Sequence, residues 1–287
     1  MAKWDGRCVS GILHHAYRVL QKAGCDSPEL DAELLLASVL GWDRARLLAH
    51  SDHMLTESEL ASWLALLGRR QGREPLAYIL GRREFYGLDF IVDRRVLIPR
   101  PETELVVEHV LAWAASRTGP LDLADVGTGS GCIAVALAAH LPSTTIHALD
   151  ASADSLEVAA ANVARHALGE QVILLQSDLL EQLPGPVDGI IANLPYVRSD
   201  EMPVLQPEIR EHEPWAALDG GPDGLGPVRR LLVQAVRYLS PAGAVFLEIG
   251  AEQGMAAREI ARHHFPNGKT QVLPDYAGLD RILQVRT

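Results

Sequence analysis

A chain of 287 residues is long enough to bury a sizeable core and to divide into two domains of ordinary size. With 48% hydrophobic and 22% charged residues its composition excludes a disordered or fibrous class, and no apolar run reaches membrane-spanning length. A net charge of −11 argues against a phosphate backbone as the main partner, because nucleic-acid binders present basic surfaces.

In chain order, "MAKWDGRCVSGILHHAYRVL" lacks the continuous apolar segment of a secretory signal and reads as an amphipathic helix, so a cytoplasmic protein is expected. Val9, Ile12, Leu13, Ala16, Tyr17 and Leu20 repeat on one helical face, and Gly24 offers a stop. Ser27-Pro28 is an N-cap with proline at the first helical position, opening a second helix that runs towards Gly41. Thr56 and Glu59 form a capping box ahead of "LASWLALLGRR". The "GRRQGR" stretch at 68–73 is the best candidate for a local basic patch, but the plainer expectation is the solvated end of this helix. Cys8, Cys25 and Cys132 are odd in number and widely spaced, so they read as reduced packing residues. His14, His15, His50 and His53 lack further donors at ligand spacing, and no metal site is expected.

Residues 84–98 turn to β-branched and aromatic types around Gly87-Leu88-Asp89, which suggests a hairpin. Beyond it a helix near 102–117 is followed by strands at 121–126, 144–149, 171–176 and 187–192, with helices at 131–140 and 152–167 between them. "VFLEIG", a helix and two final strands close the pattern. Strands alternating with helices imply an α/β fold with a mostly parallel sheet covered on both faces. The division expected is a helical N-terminal domain over 1–80, a β-hairpin linker over 81–100 and an α/β domain over 101–287.

"LDLADVGTGSGCIAVALAAH" at 121–140 is a strand, a glycine turn and a helix in succession. Gly127, Gly129 and Gly131 allow a tight bend and the close approach of a ligand, as in a nucleotide pocket. The match to a dinucleotide fingerprint is imperfect, because Cys132 holds the place of its last glycine. Asp125 precedes the turn, Asp150 ends the next strand where a carboxylate could meet both ribose hydroxyls, and Asp178 follows the third strand near the expected adenine. Such an acidic pocket suits the sulfonium cation of S-adenosylmethionine better than the pyrophosphate of NAD. Isolated strand-end aspartates are often helix caps, and Asp150 could be one, so weight rests on the set of three.

"IIANLPYVRS" at 190–199 then places Asn193-Leu194-Pro195-Tyr196 at the end of an apolar strand. With "DVGTGSG", "LDAS" and "SDL" in this order, the chain resembles class I S-adenosylmethionine-dependent methyltransferases that modify amide or exocyclic amino nitrogens. "EPLAYILGRREFYGLDFIVDRRVLIPRPETELVVE" at 74–108 and "EPWAALDGGPDGL" at 213–225 narrow the resemblance to the HemK/PrmC family of release-factor glutamine N5-methyltransferases. It covers nearly the whole chain, loosely in the first 70 residues. It implies a Rossmann-like domain with a mostly parallel seven-stranded sheet, and a small N-terminal helical bundle that docks the protein substrate. It further implies a cofactor site of Asp125, Gly127, Thr128, Gly129, Ser130, Gly131, Asp150, Asp178, Leu179 and Asn193.

The same resemblance makes Asn193, Leu194, Pro195 and Tyr196 the catalytic set. A glutamine amide is a poor nucleophile, with two N–H donors that need partners once water is excluded. The Asn193 side-chain oxygen and the Leu194 carbonyl would accept one each, and Tyr196 would give the planar amide a flat face. The family usually carries proline where Leu194 stands; leucine keeps the carbonyl but frees its φ, while Pro195 still restricts it to extended geometry. "IPRPETE" at 98–104 is a good helix start by local rules, and in the family it lies over the cofactor pocket. The implied activity is methylation of the glutamine in the Gly-Gly-Gln motif of bacterial peptide chain release factors, with no direct nucleic-acid or membrane partner. Rival readings are a glutamine methyltransferase of a ribosomal protein, an N-methyltransferase of nucleic-acid bases, a non-catalytic nucleotide-binding module and a Rossmann dehydrogenase.

Overall fold

The computed structural model describes residues 7–287; the part of the expected N-terminal amphipathic segment that falls on residues 1–6 lies outside them. The first helices are α1 (Val9–Lys22), α2 (Pro28–Leu40), α3 (Arg44–Ala49), α4 (Glu57–Gln71) and α5 (Leu76–Leu80). A hairpin of β1 (Arg82–Phe85) and β2 (Leu88–Ile91) leads through a 3-10 turn at Pro101–Thr103 into α6 (Glu104–Ala114). Then come β3 (Asp122–Val126), α7 (Cys132–His140), β4 (Thr145–Asp150), α8 (Ala153–Arg165), β5 (Val172–Gln176) and β6 (Val187–Ala192). The chain ends with α9 (Pro207–His212), α10 (Gly226–Tyr238), β7 (Leu239–Glu248), α11 (Gly254–His264), β8 (Lys269–Pro274) and β9 (Asp280–Arg286).

Two compact units result. Of the described residues, the first comprises 7–81 together with 206–212, and the second 82–205 and 213–287. In the helical unit Val9, Ile12, Ala16 and Leu20 of α1 pack with Ala32 and Leu36 of α2 and Trp63 and Leu67 of α4. The capping box is formed: Thr56 Oγ1 accepts from the Glu59 N–H, and Glu59 Oε2 accepts from the Thr56 N–H. Gly41 ends α2 in the left-handed conformation, φ 64°, which glycine adopts without a side-chain clash. Ser27 starts α2 without a side-chain capping bond, so Pro28 carries that signal.

The "GRRQGR" stretch departs from expectation. Arg70 is 6% exposed rather than solvated. Its Nε donates to Asp31 at 2.7 Å and its Nη1 to Glu208 at 2.9 Å, while Arg73 also pairs with Glu208 and Arg69 with Glu74. A helix end so charged is buried because carboxylates from α2 and α9 neutralise it.

In the second unit the seven strands lie in the order β5-β4-β3-β6-β7-β9-β8, parallel except for β9. The central strands are apolar on both faces, as helical crossovers on each side require. One core side gathers Leu123, Ile191 and Phe246 with α6 and α7; the other gathers Ala124, Ile190 and Val245 with α10 and α11. The hairpin belongs to this unit, not to a separate linker. Phe85 and Phe90 enter its core, and Asn162 of α8 bonds both the N–H and the C=O of Ile91. Its turn is Tyr86-Gly87, with φ of 52° and 74°. α10 was not expected from the sequence, although Pro227 near its start and Val228, Leu231, Leu232 and Ala235 on one face carry the signal.

Candidate active site

The carboxyl ends of β3, β4, β5 and β6 face a cavity of about 360 Å³, the size of a small-molecule site. Its floor is the turn between β3 and α7. Gly127, Gly129 and Gly131 have φ of 73°, 55° and 79°, a conformation that excludes most side chains. A Cβ on Gly127 would lie 3.2 Å from Cδ2 of Leu194, so the turn and the Asn-Leu-Pro-Tyr segment approach more closely than a side chain at 127 would comfortably allow.

Of the residues singled out from sequence, Gly127, Thr128, Gly129, Ser130, Asp150, Asp178, Leu179, Asn193, Leu194 and Pro195 come together on the cavity wall. Asp125, Gly131 and Tyr196 do not. Asp125 is fully buried under the turn, where one oxygen accepts from Thr128 Oγ1 at 2.6 Å and from the Ala134 N–H at 3.2 Å. Burial pushes its carboxyl up to about 7 against those two donors. It shapes the turn rather than facing a ligand. Gly131 packs against Ala159 of α8, and Tyr196 turns its hydroxyl to Glu248 at 3.2 Å.

Asp150 is shared between the turn and the cavity. One oxygen accepts from the Gly129 N–H and the other from the Ser152 N–H, each at 2.9 Å, while Ser152 itself caps α8. Burial raises its carboxyl, with those N–H groups opposing. Leu179 holds a left-handed φ of 54°, unusual for leucine and of the kind that recurs at ligand sites. The arginines of the wall all meet carboxylates: Arg95 pairs with Asp93 and Glu157, Arg100 with Glu213, and Arg230 with Asp178.

Asn193 donates from Nδ2 to Thr103 Oγ1 at 3.0 Å. Leu194 is 6% exposed, its side chain in the core beside α10, so leucine anchors this turn by burial where proline would stiffen it. The "EPWAALDGGPDGL" stretch runs alongside. The Val197 N–H donates to the Leu218 carbonyl and the Gly220 N–H to the Val197 carbonyl, at 2.9 and 2.8 Å. A Cβ on Gly220 would sit 2.7 Å from the Pro195 carbonyl oxygen, which explains glycine there. Glu213, 4% exposed, accepts from the Ile98 N–H and from Arg100, which draws the 98–100 segment onto the cavity.

Thr103, Glu213 and Glu248 were not picked out as site residues from sequence. Each acts across 90 positions of chain or more, through Asn193, Ile98 and Thr103 respectively; they lie in "IPRPETE", "EPWAALDGGPDGL" and "VFLEIG", but those stretches do not say which side chain reaches the site.

The model of the PrmC N-terminal domain matches residues 11–81, and that of the methyltransferase small domain matches 102–210. A release factor glutamine methyltransferase of Agrobacterium fabrum is 40% identical over 282 residues, covering 97% of each chain. One of Moorella thermoacetica is 43% identical over 273 residues, covering 94% of this chain and 95% of its own. Among solved structures, a methyltransferase from Pyrococcus furiosus shares the fold at a TM-score of 0.52 and 16% identity, over 70% of this chain and 90% of its own. On sequence similarity that runs nearly end to end, this chain belongs to the release factor glutamine methyltransferase family.

Proposed function

We propose that this chain transfers the methyl group of S-adenosylmethionine to the side-chain nitrogen of the glutamine in the Gly-Gly-Gln motif of a bacterial peptide chain release factor, in the cytoplasm. The observation that carries the reading is the placement of Asn193 and Leu194 on the wall of the cavity that the glycine turn and Asp150 floor. Family membership supports the same substrate class.

The residues present fit the cofactor. Gly127 and Gly129 leave backbone open to a ligand, Asp150 offers carboxylate oxygens for ribose hydroxyls, and Asp178 and Leu179 stand beyond it on the wall. Each arginine on the wall is paired to a carboxylate, so among the described residues no wall arginine stands free for a pyrophosphate, which favours an adenosyl sulfonium over NAD. Bound there, S-adenosylmethionine would supply an electrophilic methyl group: the substrate nitrogen would form the N–C bond as the C–S bond breaks, leaving a neutral thioether, and the amide proton would pass to solvent.

The protein's part is positional. Asn193 Oδ1 and the Leu194 carbonyl accept the two N–H groups of the substrate amide and hold its nitrogen at a near-attack distance of about 3–3.5 Å. Both acceptors also stabilise the positive charge that develops on nitrogen during transfer. The close approach of the Leu194 side chain to Gly127 would restrict the turn that carries this carbonyl.

Methyl transfer to intact release factor from labelled cofactor tests these roles. Asn193→Ala is expected to bind cofactor normally and to lose roughly 100- to 1,000-fold in kcat. Asp150→Ala is expected to weaken cofactor binding about tenfold or more. The reverse pattern, or labelling of ribosomal protein or RNA in place of release factor, contradicts the reading.

A further inference from the structure

Behind Asn193 a buried polar chain ends on a carboxylate. Asn193 Nδ2 donates to Thr103 Oγ1 at 3.0 Å, and the Thr103 hydroxyl donates to Glu248 Oε2 at 2.7 Å. The Tyr196 hydroxyl donates to the other oxygen, Oε1, at 3.2 Å. Thr103 is 2% exposed and Glu248 1%, so solvent does not compete for these atoms.

A primary amide has nearly the same shape at its two ends and opposite polarity. Turned by half a rotation, Asn193 would present NH₂ to the cavity and repel an incoming amide N–H. The proton count at Thr103 decides between the two. A hydroxyl has one proton, and the Glu248 carboxyl, which accepts from Thr103 on one oxygen and from Tyr196 on the other, takes it. Thr103 Oγ1 is left with lone pairs, so the amide atom facing it must be NH₂ and Oδ1 is the atom that remains. Oδ1 meets no donor among the described residues, and Asn193 itself lies on the cavity wall. Tyr196 holds the second carboxylate oxygen and keeps the group from swinging away. Burial pushes the Glu248 carboxyl up, while Thr103, Arg281 and Tyr196 favour the charged form on which this polarity depends.

We propose that Thr103 and Glu248 are positioning residues that set the polarity of Asn193, so that an acceptor faces the substrate nitrogen and the site takes a glutamine amide while rejecting a glutamate carboxylate. The proposal rests on the amide-methylation reading above. Two fixed acceptors would meet a carboxylate with repulsion on both sides, whereas a rotated Asn193 would offer it a donor.

Thr103→Val keeps the shape and removes the hydroxyl, and Thr103→Ser keeps the hydroxyl. Valine is expected to lower kcat about ten- to hundredfold with cofactor affinity within about twofold, and serine to restore most of the rate. A release factor with its target glutamine changed to glutamate is expected to inhibit Thr103→Val more strongly than the unaltered enzyme. Should Thr103→Val fold poorly, Glu248→Gln serves: its NH₂ can face Thr103 and free that hydroxyl to donate to Asn193. An unchanged rate in Thr103→Val, or serine as slow as valine, overturns the proposal. A readout without substrate separates this from failure of the wider reading. The Asn193 side-chain amide protons, followed by NMR hydrogen exchange, are expected to be protected in the unaltered protein and at least about tenfold faster to exchange in Thr103→Val. Equal exchange overturns the polarity proposal whatever the substrate; no methylation by the unaltered enzyme, with protection intact, overturns the substrate reading alone.

Discussion

Asp125 is buried beneath the glycine turn, with one oxygen bonded to Thr128 and Ala134 and the other, Oδ1, without a partner among the described residues. Burial carries its carboxyl from the ordinary 3.8 to about 7. Between those values the folded chain keeps a proton that the unfolded chain has lost, so this group's stabilising share is full below the lower value and gone above the upper one. The expected slope approaches about 1.4 kcal/mol per pH unit. Urea denaturation of the unaltered protein and of Asp125→Asn across this interval should show their difference in stability changing with pH and then levelling; parallel curves would refute it. The Asn-Leu-Pro-Tyr segment and the glycine turn were legible in the sequence because each states its own backbone demand: positive φ, restricted φ, a polar group at a strand end. Asp125 was read as a ligand contact because strand position alone does not say which side of the turn a carboxylate takes. Thr103 and Glu248 were illegible for a different reason. They lie 145 positions apart, and only the folded sheet brings them together.

At the scale of elements, alternation of strand and helix was readable because the strands are mostly apolar and a polar residue or glycine stands at or just after the end of each of β3 to β6. The bounds of β6 match the expected ones, and those of β3, β4 and β5 differ by no more than a residue at either end. The hairpin was found but misassigned: its Phe85 and Phe90 point into the second core, a fact that residue spacing around a turn does not contain. The "GRRQGR" stretch was misread because its counter-charges come from α2 and from α9, the latter 135 positions from Arg73. In Glu208, burial pushes the carboxyl up, but bonds from Arg73 and Arg70 outweigh it and hold the group charged. Glu208→Gln leaves a buried arginine short of its partner and is expected to cost about 3 kcal/mol in urea denaturation. A loss under about 1 kcal/mol would mean that the cluster behaves as an exposed ion pair.

In the whole molecule, α9 ties the two units by chain connection: the segment after the Asn-Leu-Pro-Tyr turn enters the helical unit at Gln206 and returns at Glu213. The return is held in the second unit by the bonds from Glu213 to Ile98 and Arg100. Among the described residues no helix is long and apolar enough to cross a membrane. The net charge of −11 weighs against a nucleic-acid substrate and is compatible with a protein one. The most direct test of the central claim is mass spectrometry of a purified bacterial release factor after incubation with this protein and S-adenosylmethionine, beside a release factor whose Gly-Gly-Gln glutamine is alanine. One added methyl group that maps to the glutamine and is absent from the alanine control is the expected result. No added methyl under conditions where cofactor binding is measurable, or a methyl that persists in the control, would contradict the account.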